Sequence, residues 1–250
     1  MPITSAIILL ITVLATAFLS GIFGMAGGLI LMGVLLSLLS VPQAMVAHGL
    51  LQMLANGWRC YLLRTSIQRR VLAYYCVGTV LAIGLLFFVA FRPSRPVVLL
   101  LLGLVPFLIW LPKSVFRLDA QNPAHAVLAG FLVTGLNTFA GVAGPILDIF
   151  FVRTTLTRHQ IVATKSVTQL IAHFVKVIFW SGLAFGALSD NKGLLIVLLL
   201  AIPFSMTGTW VGGFVLDRLS DKSFLRWVRG LVTGIGIVFL GRAMMTWFGG

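Results

Sequence analysis

Ten apolar segments follow one another along this chain of 250 residues, and few charges interrupt them. They run over 3–23, 28–39, 43–63, 71–91, 96–111, 124–139, 144–152, 161–185, 194–216 and 224–248. A helix needs roughly 20 residues to cross the hydrocarbon core of a bilayer, with a range of about 17 to 25. Segments 28–39 and 144–152 fall short of that and cannot cross straight. In lipid every backbone polar group must be satisfied internally, so segments of this kind form helices. The expected fold is an all-α polytopic membrane protein with about eight full spans plus short segments. The first run has no basic residue before it and is followed by further long runs, so it reads as a retained helix and not a cleaved leader.

Composition agrees. Hydrophobic residues make up 60% of the chain and charged residues 9%, against roughly 25% charged in soluble domains. The five acids are all Asp (Asp119, Asp148, Asp190, Asp217 and Asp221), and Glu is absent. Eighteen Lys and Arg bring the net charge to +13. They lie between apolar runs and form no dense stripe, which argues against a nucleic-acid partner and for loops held in the cytoplasm. Cys60 and Cys76 make no disulfide framework and fit ordinary packing. Without Glu there is no His-Glu-x-x-His zinc site, and neither a Gly-x-Ser-x-Gly elbow nor a Walker loop occurs. No enzyme, metal site or cofactor is expected.

Both short segments follow a Gly-rich break. Gly24-Met25-Ala26-Gly27-Gly28-Leu29-Ile30 matches Gly141-Val142-Ala143-Gly144-Pro145-Ile146-Leu147 at an offset of 117. The same offset pairs Gln43 with Gln160, Gln52 with Gln169 and His48 with Lys165, whereas 116 pairs Val46-Ala47 with Val162-Ala163. The chain therefore divides into two related halves, 1–121 and 122–250. Interrupted helices at corresponding places in two halves point to a transporter binding site.

Orientation follows from charge. The loop from Arg59 to Arg70 carries four Arg and is placed in the cytoplasm. If each short segment forms a hairpin with the helix before it, the first hairpin opens outside and the second opens to the cytoplasm beside Arg153 and Arg158. Both termini then lie outside, and the halves are inverted. Arg92, Arg95, Lys192 and Arg242 go against the rule; more basic residues obey it.

The Gly motifs have two readings. Ser20, Gly24 and Gly28 are spaced by four, the small-xxx-small pattern of helix packing. The alternative is a helix break at mid-membrane, whose half-helix N-terminus offers free N–H groups and a positive dipole end to an anion. Pro145 suits a first helical turn, and the repetition favours the break. On this reading the substrate-binding candidates are Gly24, Ala26, Gly27, Gly28, Gly141, Ala143, Gly144 and Pro145. Ionisable groups inside a membrane are functional candidates by default. Lys165 lies one turn into a long helix, where snorkelling to the interface is the plainer alternative. His48 holds the matching place, and Asp148 is the one acid inside an apolar segment. Asp148 could relay a proton or merely neutralise Lys165 or Lys176. His173 and Lys176 share a face at i, i+3. Among neutral polar residues, Gln52 and Gln169 stand out because they are repeat-related, with Thr164 and Ser166 beside Lys165; Asn56, Asn137, Thr138 and Thr168 fit helix-to-helix bonding. His48, Asp148 and His173 are the proton-coupling candidates.

The segment Gly21-Ile22-Phe23-Gly24-Met25-Ala26-Gly27-Gly28, its loose repeat over 135–145, and the following stretches Ala44–His48 and Ile161–Ser166 resemble the TauE/SafE sulfite-exporter family, also called toluene-sulfonate uptake permeases. The resemblance covers both halves. It implies secondary transport of small sulfur-containing anions such as sulfite, sulfoacetate or other organosulfonates in a bacterial inner membrane, by export or uptake, with proton coupling and a homodimer as open expectations. Two positions depart from the family's usual pattern: His48 replaces a small or hydroxyl residue and Pro145 replaces a Gly. An anion channel, an intramembrane enzyme using His48 or Asp148, and a structural partner subunit are the rival readings.

Overall fold

The computed structural model describes residues 2–23, 26–88, 93–110, 118–151, 154–189, 192–216, 218 and 221–248, without the side chains of 23, 87, 109, 158, 183–189, 216 and 221–229. Among them are ten α-helices and no strand: α1 (Ile3–Phe23), α2 (Ala26–Leu38), α3 (Val41–Leu62), α4 (Arg69–Phe88), α5 (Arg95–Leu104), α6 (Pro123–Ala140), α7 (Gly144–Phe151), α8 (Arg158–Ser189), α9 (Lys192–Leu216) and α10 (Asp221–Phe248). Each coincides with one apolar segment of the sequence. A 3-10 turn (Arg64–Ser66) precedes α4, and a 3-10 run (Val105–Trp110) extends α5.

Six helices, α1, α4, α6, α8, α9 and α10, are long and apolar enough to cross a membrane. With 22 residues α3 reaches about 33 Å at 1.5 Å per residue, which also suffices. It escapes a purely apolar criterion because His48, Gln52, Asn56 and Arg59 lie along it. Helix α5 (10 residues) and its 3-10 extension (6 residues) together fall just under the length of a full span, so seven helices among the described residues reach it where about eight were expected. Helices α2, with 13 residues, and α7, with 8, remain short, as their sequence requires. Outward faces are apolar: Val77, Val80, Leu81 and Leu85 on α4 and Ile196, Leu199 and Leu200 on α9 are all exposed, as lipid-facing positions should be.

Four helix pairs carry most of the packing: α1 with α9, α3 with α8, α4 with α6, and α5 with α10. Exchanging α1–α5 for α6–α10 in order leaves this set unchanged. Small residues make two of the pairs close. A Cβ on Gly212 of α9 would come within 2.9 Å of Gly21 Cα on α1, and one on Gly78 of α4 would lie 2.8 Å from Phe131 N on α6. In lipid, where burial of apolar surface gives no preference between helices, such close approach is the main source of association. One buried cluster gathers Leu29, Met32 and Leu35 of α2 with Met45, Leu102 and Trp180; another gathers Leu147 and Phe150 of α7 with Tyr75, Val133 and Ala172. Each short helix is thus embedded in protein, the condition under which a broken helix is tolerated at membrane depth.

Candidate functional site

The break before α7 is built from local rules. Asn122 caps α6, its Oδ1 accepting from Ala124 N at 3.0 Å and His125 N at 3.4 Å, with Pro123 in the first turn. At the other end Gly141 has φ +83°, a left-handed conformation that glycine adopts without steric cost, and its N–H bonds Asn137 O at 2.9 Å. Helix resumes at Gly144, and Leu147 N–H reaches back to Ala143 O at 3.1 Å. The first N–H groups of α7 have no partner within the helix.

Helices α3 and α8 form the facing wall and begin alike. Ser40 N–H donates to Gln43 Oε1 at 3.2 Å. Thr157 N–H donates to Gln160 Oε1 at 3.0 Å, and Gln160 N–H to Thr157 Oγ1 at 3.3 Å. These capping boxes stand 117 residues apart, the offset of the glycine motifs. Gly49 faces Val177 and Gly57 faces Leu170, so the two helices run antiparallel. Each carries a polar stripe at spacings of four, four and three: His48, Gln52, Asn56 and Arg59 on α3, and Lys165, Gln169, His173 and Lys176 on α8.

Where the stripes cross, a cavity of about 20 Å³ is lined by Gly28, His48, Gln52, Asn137, Gln169 and His173, with Ala143 and Gly144 from the start of α7. Val133, Val142 and Ala172 complete it. The volume suits roughly one water. His48 is fully buried, and both ring nitrogens are engaged. Gly28 O can only accept, so Nε2 donates to it at 2.9 Å. Nδ1 is then the acceptor, and Lys176 Nζ donates to it at 2.8 Å while also donating to Gly141 O at 2.9 Å. One buried lysine Nζ therefore ties α3 to the C-terminus of α6. Asn137 Nδ2 donates to His173 Nδ1 at 3.3 Å, and the two histidine rings lie 5.4 Å apart between centroids.

The sequence candidates thus divide. Gly28, His48, Gln52, Ala143, Gly144, Gln169 and His173 meet at the cavity. Gly141 contributes its carbonyl to the Lys176 bridge. Pro145 is buried in the first turn of α7 but does not line the cavity. Ala26 is buried at the start of α2, and Gly27 packs on α1, where any Cβ would collide with Thr16 O and Ser20 Oγ. Gly24 lies outside the described residues. Thr164 Oγ1 accepts from Gln68 N at 3.0 Å, holding the loop after α3, and Ser166 Oγ donates to Val162 O at 2.8 Å within its helix. Lys165 forms an ion pair with Asp148 and does not line the cavity.

Lys176 and Asn137 are the residues that sequence reasoning left out of the site. Lys165 attracts attention because it is the repeat mate of His48. In an antiparallel pair, however, repeat mates meet only near the crossing point. Gln52 and Gln169 lie near it and share the cavity; His48 lies above it and meets Lys176. Lys176 could have been found by pairing the stripes in opposite directions. The Asp148–Lys165 pair, partly accessible, joins α7 to α8. Lys165→Ala should lower stability by about 1–3 kcal/mol, between the values for exposed and buried pairs, by leaving Asp148 without its cation. Adding Asp148→Ala should recover most of that, as read by thermal unfolding in detergent.

No curated protein and no solved structure matches the chain. The family model described as "Sulfite exporter TauE/SafE" matches residues 8–240, nearly the whole length, with both glycine breaks and both polar stripes inside the matched region. The chain belongs to the TauE/SafE family of membrane sulfite exporters.

Proposed function

We propose that the chain is a secondary transporter of small sulfur-containing anions, such as sulfite, sulfoacetate or related organosulfonates, working by alternating access between two inverted repeats, 1–121 and 122–250. The observation that carries this reading is the cavity itself. It lies between the two halves, takes Gln52 from one and Gln169 from the other, and receives the opening residues of the short helix α7. Amide N–H groups and a helix N-terminus recognise an oxyanion without a full opposing charge. The packing scheme that survives exchange of the halves supports the repeat assignment. A 20 Å³ space is too small for an oxyanion such as sulfite, so binding requires the walls to part. Rocking of the halves provides that movement.

Proton coupling fits the hydrogen bonds of His48. Protonating its Nδ1 places an N–H where Lys176 now donates, and two donors cannot share that line. A proton arriving at His48 therefore opposes the bridge to Gly141. The charge distribution supports a cytoplasmic loop over 59–70 and termini outside, and the family supports residence in a bacterial inner membrane.

The test is ligand binding by purified protein, with sulfite, sulfoacetate, taurine and thiosulfate compared by thermal shift. A ligand at a hundred times its dissociation constant stabilises by about 2.7 kcal/mol. One of these anions should produce such a shift, and Gln52→Ala with Gln169→Ala should weaken its binding at least about tenfold, roughly 1.4 kcal/mol. Undiminished binding by the double variant would place the site elsewhere.

A further inference from the structure

A second chamber, of about 290 Å³, lies apart from the central cavity at the Arg59 end of α3. Its lining makes two chemical demands at once. Arg59 borders it and donates only to neutral acceptors: Nη2 to Ser20 O at 3.1 Å, and Nη1 to Asn56 Oδ1 at 3.5 Å. Among the described residues no carboxylate reaches it; the one ion pair described is Lys165 with Asp148. Thr209, 5% exposed, also borders the chamber, and its hydroxyl has no hydrogen-bond partner. A guanidinium with no counter-ion among the described residues and an unused hydroxyl together call for an oxyanion. Apart from His159, the rest of the wall is apolar. Leu62, Trp210 and Phe214 line it and are about half exposed, which opens the chamber toward the lipid-facing surface of α3 and α9.

We propose that this chamber binds an anionic phospholipid, its phosphate on Arg59 and Thr209 and its acyl chain against Leu62, Trp210 and Phe214. Depth agrees, since Arg59 is three residues from the end of α3, at the level where headgroups begin. The following loop carries Arg64, Arg69 and Arg70, and basic clusters beside a span attract anionic lipid. Trp210 suits the same level, where aromatic side chains anchor helices at the interface. A soluble inorganic anion would satisfy Arg59 and leave the apolar wall without a partner.

The experiment adds phosphatidylglycerol, phosphatidylcholine or glycerol 3-phosphate to the full chain in maltoside. It reads the thermal midpoint and lipid retention by native mass spectrometry. Phosphatidylglycerol should raise the midpoint by roughly 5 °C or more at saturation and be retained. Phosphatidylcholine should do neither. Arg59→Gln should weaken phosphatidylglycerol retention at least tenfold, Arg59→Lys less so, and Trp210→Ala should weaken it with Arg59 intact. Equal effects of the two lipids would overturn the proposal, as would undiminished retention in both Arg59→Gln and Trp210→Ala. An equal shift from glycerol 3-phosphate would make the ligand a free anion and exclude the lipid. Because no transported anion enters the assay, its outcome is independent of the transport reading.

Discussion

Lys176→Met is expected to cut transport about a hundredfold while leaving the chain folded in the membrane. Lys176 Nζ makes two hydrogen bonds, to His48 Nδ1 and Gly141 O, in a place with no solvent contact. Such bonds contribute up to about 1.5 kcal/mol each. Losing the bridge in a state the transport cycle must visit amounts to about 3 kcal/mol, and each 1.4 kcal/mol is tenfold. Stability should respond much less. Met is one atom shorter than Lys and fills most of the space. The desolvation cost of a buried polar amine disappears and offsets the acceptors left without a donor. Helix-to-helix hydrogen bonds in membranes are in any case worth about 0.6 kcal/mol on average. The discriminating observation is therefore a large fall in transport with a midpoint within a few degrees of the parent. Normal transport by Lys176→Met would reduce the bridge to a packing detail.

Gly130→Ala should be among the most damaging single-methyl substitutions in the protein, and Gly135→Ala, five residues along the same helix, among the most benign. A Cβ on Gly130 collides with Tyr75 O and would stand 3.0 Å from Thr79 N, all rigid backbone of α4. Gly78 meets α6 in the reciprocal way. The methyl cannot be absorbed by a rotamer change, so α4 and α6 must separate. Separation weakens the Thr79–Thr134 hydroxyl bond of 3.1 Å and the seat of Tyr75, whose OH donates to Thr168 O at 3.3 Å. About 3 kcal/mol is expected, the upper part of the overpacking range, or roughly 6–12 °C in midpoint for a chain this long. Gly135 has nothing within 4 Å of a would-be Cβ, and Ala there gains up to about 1 kcal/mol of helix propensity. Equal effects of the two substitutions would mean that α4 and α6 are not in close contact.

Helix count and position were legible because bilayer thickness fixes element length, and 28–39 and 144–152 announced themselves by being too short. The cavity was half legible. Gln52 and Gln169 were found through the repeat, since mates near a two-fold crossing stay together. Lys176 was not, because its partner is not its mate. Its own mate is Arg59, and the two play parallel parts: Arg59 donates to Ser20 O near the end of α1, and Lys176 to Gly141 O at the end of α6. A cation at a helix C-terminus is favourable on general grounds, but which helix end it reaches depends on tertiary packing. Thr164 and Ser166 failed as cavity residues for a related reason. Their hydroxyls are occupied by Gln68 N and Val162 O, and sequence does not reveal which hydroxyl is already engaged.

The central claim is that an oxyanion passes through the cavity between the two halves by alternating exposure. The most direct measurement is counterflow of radiolabelled sulfite into liposomes holding the purified protein and preloaded with unlabelled sulfite. Saturable uptake is expected, accelerated by sulfite inside and at least about tenfold lower in Gln52→Ala with Gln169→Ala. Linear flux indifferent to internal sulfite would contradict alternating access and indicate a channel. Undiminished counterflow in the double variant would contradict the cavity as the path.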